Sequence, residues 1–150
     1  MFARIFNLGL SLKKGRPLSA AERINYQPYF QPHTLNLVRI IEGHTPFWLR
    51  KDMCAVVLGA RVYFRAGIYQ ANTRNGIELL AHELTHVEQF LSGMTVFKYL
   101  WASRRGYRQN PYEVEACAKG AYVCDQIFQN KPMLSYQDKT YLDQSLRITF

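Results

Sequence analysis

The amino-acid sequence predicts an α+β fold in which a small, mostly antiparallel sheet packs on one long helix, with a later helix beside it. Short apolar segments rich in β-branched residues occupy residues 35–65, and helical periodicity dominates residues 77–129. The chain has 150 residues, of which 48% are hydrophobic, and it therefore suits a single domain spanning residues 1–150.

Three short strands are predicted in the first half of the chain, over residues 35–42, 55–58 and 61–65. The last two are joined at Gly59, which is typical of a tight connection. In residues 61–65, arginine and tyrosine alternate with valine and phenylalanine, so one face should pack and the other should face water. We therefore expect residues 61–65 to form a strand at the sheet edge, where a peptide could be added.

Helices are predicted over residues 77–91, 94–105 and 111–129, since apolar side chains recur at helical spacing and glycine or an asparagine–proline pair separates the segments. Upstream, Ser19 followed by Glu22 is typical of a capping box and predicts a short helix there.

The motif HELTH at residues 82–86 lies on the first of these long helices. His82 and His86 are four residues apart, so their imidazoles stand on one helix face and can bind the same ion. A zinc ion held by three protein ligands keeps a fourth position for water, and Glu83 lies beside that position as a general base. The motif therefore predicts Zn²⁺ binding and hydrolysis of a peptide bond by a zinc-activated water.

A third ligand must come from elsewhere, because no histidine follows His86. Glu113 and Glu115 are the candidates, and they lie about 200° apart on the last helix, so only one can face the ion. The face of Glu115 is polar, whereas the face of Glu113 has small residues that allow close helix packing: Ala116, Cys117, Gly120 and Cys124. This contrast favours Glu113, with a simple helix-capping carboxylate as the alternative interpretation of that residue.

Residues 79–89, followed by residues 110–116, resemble the core of a gluzincin-type zinc peptidase. That resemblance implies a zincin-like fold and assigns the third ligand to Glu113, the first residue of a Glu-x-x-Ala pattern. Residues 38–89 more closely resemble the small bacterial HExxH domain found with extracellular contractile injection systems, and the likeness extends over roughly residues 18–126. The chain departs from the gluzincin pattern at Cys117, where aspartate or asparagine usually orients a metal-binding histidine.

Peptide hydrolysis also needs a hydrogen-bond donor for the oxyanion of the tetrahedral intermediate. Tyr107 and Tyr112 lie between the two metal-binding segments, so either is a candidate. The predicted site thus has Glu83, Tyr107 and Tyr112 as catalytic residues, with a peptide or protein as substrate.

Two other functional classes remain open. The first is a non-catalytic, zinc-stabilised binding or assembly module attached to a secretion or toxin system, as in some members of the resembled family. The second follows from the net charge of +8, which favours contact with an anionic membrane surface or an acidic protein. Basic and aromatic residues interleave at residues 97–108, but no nucleic-acid-binding motif is present.

The two ends of the chain are less specified. Residues 1–17 are predicted as an amphipathic strip, and residues 133–150 as a loosely specified tail. The strip places its positive charges after its apolar residues, unlike a secretory signal, so we expect a cytoplasmic protein, with export by a non-classical system as the alternative. The three cysteines are too few for a disulfide framework and are expected to be reduced and buried.

Overall fold

A computed structural model describes residues 15–130, so the predicted tail and most of the predicted N-terminal strip lie outside the described residues. The α+β class is confirmed. The strands and helices are β1 Arg39–Glu42, β2 Ala55–Leu58, β3 Arg61–Phe64, α1 Ala20–Tyr26, α2 Pro32–Leu37, α3 Arg74–Leu91, α4 Val96–Ser103 and α5 Pro111–Asn130. A 3₁₀ turn, Tyr107–Gln109, immediately precedes α5.

The sheet has the strand order β1-β3-β2 and is mixed. Strand β3 pairs with β2 in antiparallel register and with β1 in parallel register. The prediction of a mostly antiparallel sheet was therefore wrong. The hairpin at Gly59 reverses the chain between β2 and β3, but β1 lies on the far side of β3, and this placement makes β1 and β3 run in the same direction.

The predicted edge strand is instead the central strand of the described sheet, and β2 is an edge. Val62, Tyr63 and Phe64 are all buried, and in β3 only Arg61, at the start of the strand, is exposed. The alternation of residue types correctly assigned Val62 and Phe64 to the packed face of the strand. It did not show that Tyr63, on the opposite face, is buried as well. The predicted first strand was also too long, because residues 35–37 belong to helix α2, which begins at Pro32.

Helix α3 supplies much of the core through one apolar face. Its fully buried side chains are Ile77, Leu80, Ala81, Leu84 and Val87. Each large aliphatic side chain stabilises the fold by roughly 1.5–3 kcal/mol when it is fully buried. The hydroxyl of Thr73 caps the helix by accepting a hydrogen bond from the backbone of Gly76. The predicted capping box of Ser19 and Glu22 is confirmed at α1.

Helices α3 and α5 approach each other closely at Gly120. A Cβ atom at this position would lie 3.1 Å from the carbonyl oxygen of Glu78 and 3.3 Å from the Cβ of His82. Such distances are tight for carbon contacts, so the missing side chain of glycine allows the close approach. This packing holds the first turn of α5 beside the HELTH motif.

The three cysteines are free, as expected, but only Cys124 is buried, so the expectation of buried thiols was wrong for Cys54 and Cys117. No helix within residues 15–130 combines the length and the apolar composition that crossing a bilayer requires.

Candidate metal centre

The structure brings His82, His86 and Glu113 together between α3 and α5. The Nε2 atoms of His82 and His86 lie 3.1 Å apart. Each Nε2 atom lies 3.4 Å from an oxygen of the Glu113 carboxylate, Oε2 in the case of His82 and Oε1 in the case of His86. Two histidine nitrogens and one carboxylate thus form a small triangle of potential metal ligands.

The Glu113 carboxylate is buried, with 4% of the residue exposed. Its Oε1 accepts a hydrogen bond of 2.5 Å from the hydroxyl of Tyr99, whereas Oε2 has no hydrogen-bond partner among the described residues. Burial alone would raise the pKa of Glu113, but contacts with the two histidines and with Tyr107 and Tyr99 outweigh it and hold the pKa well below its usual range. Glu113 is therefore a carboxylate at neutral pH, with one buried oxygen lacking a donor.

Gln89 orients the His86 ring. The amide nitrogen of Gln89 donates to the carbonyl oxygen of Tyr112 and to Oε2 of Glu115, each at 2.9 Å. Both partners only accept hydrogen bonds, so Oε1 of Gln89 must face Nδ1 of His86, which lies 2.7 Å away. The ring proton of neutral His86 is thereby held on Nδ1, and Nε2 keeps its lone pair for a cation.

The nearby carboxylates also affect the pKa of His86. Burial alone would lower the pKa of His86, but the contact with Glu113 and the charge of Glu83 outweigh it, so the pKa is raised. The imidazole therefore lies in a locally negative environment that favours a bound cation.

Glu115 has a different place from Glu113. It is exposed, and its carboxylate accepts a hydrogen bond from Gln89. Glu115 is therefore connected to His86 through Gln89. The structure thus places Glu113, rather than Glu115, beside the two histidines.

Glu83 lies at the wall of an open cleft beside the triangle. It is 6% exposed and lines the cleft together with His82 and Tyr107. Burial raises the pKa of Glu83, although the nearby histidines partly oppose that shift. A carboxyl group with a raised pKa that lines a cleft is suited to proton transfer near neutral pH.

The cleft has two parts. The larger, of about 750 Å³, extends past Glu83 toward Asn75 and Glu78. The smaller, of about 330 Å³, is bordered by strand β2 and by apolar side chains that include Trp48, Phe90 and Leu100. An edge strand, an apolar cavity and the ligand triangle therefore adjoin one another.

The two predicted oxyanion donors occupy different places. Tyr107 is 53% exposed and lines both parts of the cleft. Tyr112 instead lines a separate cavity beside Ser92, and its ring stacks against Tyr99 with centroids 6.5 Å apart. The predicted catalytic role of Tyr112 therefore has no support from its position, whereas Tyr107 lines the cleft together with Glu83, and its predicted role stays a prediction.

Sequence reasoning missed two residues of this site, Tyr99 and Gln89. Burial and the contact with Glu113 raise the pKa of Tyr99, so its hydroxyl remains a donor to that carboxylate. Gln89 follows His86 by three residues on the same helix, and that spacing was a usable signal. For Tyr99 no signal was available, because its contact depends on how α4 packs.

Helix α4 presents basic and aromatic side chains at the surface. Phe97 is 76% exposed and Trp101 is 68% exposed, and the guanidinium of Arg104 lies 4.0 Å from the centroid of the Trp101 ring. Contact of this surface with an anionic membrane or an acidic protein stays a prediction.

Comparisons with known proteins point to one family. No curated protein and no solved structure matches the chain. The family model of the eCIS core domain matches residues 17–93, about half of the chain. The matched segment includes His82, Glu83 and His86 and ends before α4 and Glu113. The chain therefore belongs to the eCIS core domain family.

Proposed function

We propose that this chain is a zinc-dependent peptidase that works with an extracellular contractile injection system. The observation that carries the proposal is the triangle of His82, His86 and Glu113, in which one buried carboxylate oxygen forms no hydrogen bond within residues 15–130. A buried polar atom without a partner is costly, and a cation bound between the three side chains would satisfy it.

The donor set and its spacing fit zinc. The three ligand pairs are separated by 3.1, 3.4 and 3.4 Å. Two ligands at about 2.0–2.1 Å from a tetrahedral ion are about 3.3–3.4 Å apart. Two histidines and one glutamate also form the ligand set of several zinc hydrolases.

The roles of the side chains follow from their positions. His82, His86 and Glu113 would hold the ion, and bound Zn²⁺ would lower the pKa of a water molecule and polarise a carbonyl group. Glu83 accepts the proton of the attacking water, helped by its raised pKa. Tyr107 donates its hydroxyl hydrogen to the oxyanion.

The edge strand β2 supports a peptide as substrate. Its outer edge lies beside the cleft, so an extended peptide could pair with it and place one carbonyl near Glu83. The apolar cavity next to the strand suits a large hydrophobic side chain of that peptide.

A second candidate function is a zinc-stabilised assembly module without turnover. Membership of the eCIS core domain family favours this alternative, since the name of the family describes a part of an injection system rather than a peptidase. The partners would then be other components of the system. The same three ligands would hold zinc, and Glu83 would have no catalytic role.

Metal content combined with a turnover assay separates the two functions. The full chain is expressed with ample zinc, its metal content is measured, and it is incubated with casein and with a quenched-fluorescent peptide library rich in hydrophobic residues. Zinc with cleavage that stops on chelation supports the peptidase. Zinc without cleavage, together with a melting temperature that falls on chelation, supports the assembly module. Protein without zinc would overturn both.

A further inference from the structure

Cys117 lies one helical turn after Glu113 on α5, on the side of the proposed zinc site. Its Sγ atom, a carboxylate oxygen of Glu113 and a ring nitrogen of His82 all lie within 4.8 Å of one another. The spacing of four residues accounts for this, since it places both α5 side chains on one helix face. Cys117 is exposed, so its side chain has room to change rotamer.

We propose that Cys117 is a fourth protein ligand that closes the zinc site. This inference rests on the proposed function, because it requires zinc on His82, His86 and Glu113. Coordination requires Sγ at a Zn–S distance of about 2.3 Å, and the exposed Cys117 side chain is free to change rotamer to meet that requirement. As the bond forms, the thiol releases its proton to solvent and the thiolate takes the position that water would otherwise hold.

Glu113 provides independent support for a ligand at this point. Its Oε2 atom is buried without a hydrogen-bond partner among the described residues, and Glu113 belongs to the same cluster as the thiol. The other two cysteines do not lie near the proposed ligands in this way. Cys54 lines the cleft but is not part of a potential metal-binding group in the described chain, and Cys124 is buried and donates to the carbonyl oxygen of Arg74.

The proposal connects the two candidate functions. Sites with four protein ligands are structural, whereas sites with three protein ligands and water are catalytic. With Cys117 bound, the centre stabilises α3 against α5 and cannot activate water. With Cys117 released or blocked, the water position opens beside Glu83.

Zinc protection of the thiol tests the proposal directly. Zinc-loaded and chelator-stripped samples of the full chain are treated with iodoacetamide, and the modification of each cysteine is followed by peptide mass analysis. We expect zinc to slow the alkylation of Cys117 on the order of tenfold or more, because a coordinated thiolate is shielded. Cys54 is the internal control, and its rate should change little.

Cobalt substitution gives a second readout. The Co²⁺-loaded chain should show thiolate-to-cobalt charge-transfer absorption in the near ultraviolet, which Cys117→Ser should abolish and Cys54→Ser should leave unchanged. If the chain binds zinc but Cys117 is not protected and the cobalt form has no charge-transfer band, Cys117 is not a ligand. That result would leave the proposed site of His82, His86 and Glu113 intact. A chain that binds neither ion would overturn the proposed function as well.

Discussion

The Nδ1 atom of His86 lies 2.7 Å from Oε1 of Gln89, whose amide nitrogen is held by two acceptors on α5. The orientation of a metal-binding ring on α3 thus depends on the docking of α5. The helix that carries Glu113 therefore also holds His86 in the tautomer that can bind a cation.

Replacement of Gln89 by leucine should weaken zinc binding without removing a ligand. We expect the zinc dissociation constant of Gln89→Leu to rise about 10–100-fold, the usual effect of losing a partner that orients a ligand. Competition with a chromophoric chelator measures this constant.

The matched control for that variant is Lys119→Gln. It breaks the 2.7 Å ion pair between Lys119 and Glu88, which also joins α5 to α3, but it leaves the His86 ring untouched. Equal losses of zinc affinity in the two variants would show that Gln89 acts only through helix docking.

Glu83→Gln should abolish hydrolysis and retain zinc. The amide cannot accept the proton of the attacking water, so the turnover rate should fall on the order of 10²–10⁴-fold, while the three ligands are unchanged. The measurement is cleavage of the best peptide from the library, together with metal content. Glu78→Gln, five residues earlier on α3 and lining the same cleft, is the control and should keep its activity. Undiminished turnover in Glu83→Gln would rule out its role as the base.

Gly120→Leu should force α5 away from α3. A side chain at this position meets the backbone of Glu78 and the Cβ of His82, so the free energy of unfolding should fall by about 1–3 kcal/mol and zinc affinity should fall with it. Urea denaturation with and without zinc measures both effects. Ala118→Leu, at an exposed position of the same helix, is the control for leucine itself. If both variants behave like the wild type, the close approach at Gly120 does not position the ligands.

Glu22 should make stability depend on acid pH. Burial alone would raise its pKa, but hydrogen bonds from Arg16, Tyr69 and the backbone of Ser19 outweigh it and hold the pKa at about 2, below the ordinary value of 4.5. Because the folded pKa lies below the unfolded pKa, the stabilising contribution is complete above about pH 4.5 and is lost as the pH falls toward about 2.

Urea denaturation across this pH range tests that contribution. The free energy of unfolding of the wild type should fall more steeply on acidification than that of Glu22→Gln, which has no carboxylate to protonate. Glu42→Gln is the control, since Glu42 also contacts Arg16 but is half-exposed. If the free energy of unfolding of Glu22→Gln falls with pH as steeply as that of the wild type, Glu22 is not the source of the acid sensitivity.

Local patterns predicted α1, α3, α4 and α5, but they did not predict the short helix α2. The recurrence of Leu80, Leu84 and Val87 identified α3, and the asparagine–proline pair before α5 located its start. The two histidines and Glu113 were also predicted to face one another, and the structure places them in one cluster. These features depend on helical spacing and on the sizes of side chains, both of which the sequence contains.

Features that depend on tertiary packing were not predicted. The position of β3 at the centre of the sheet depends on where β1 pairs, and no local pattern encodes that choice. Tyr99 was missed for the same reason, since its hydroxyl reaches Glu113 through the packing of α4 against α5. Tyr112 was named for its place in the sequence, but its ring stacks against Tyr99 and does not line either part of the cleft.

Metal analysis of the wild type beside Glu113→Ala and Glu115→Ala tests the zinc site most directly. We expect one zinc ion per chain in the wild type and in Glu115→Ala, and a loss of zinc in Glu113→Ala, because Glu113 contacts both histidines and Glu115 instead accepts a hydrogen bond from Gln89. Circular dichroism of each variant shows whether the fold persists. Full zinc occupancy in a folded Glu113→Ala protein, or loss of zinc only in Glu115→Ala, would contradict the proposed metal centre.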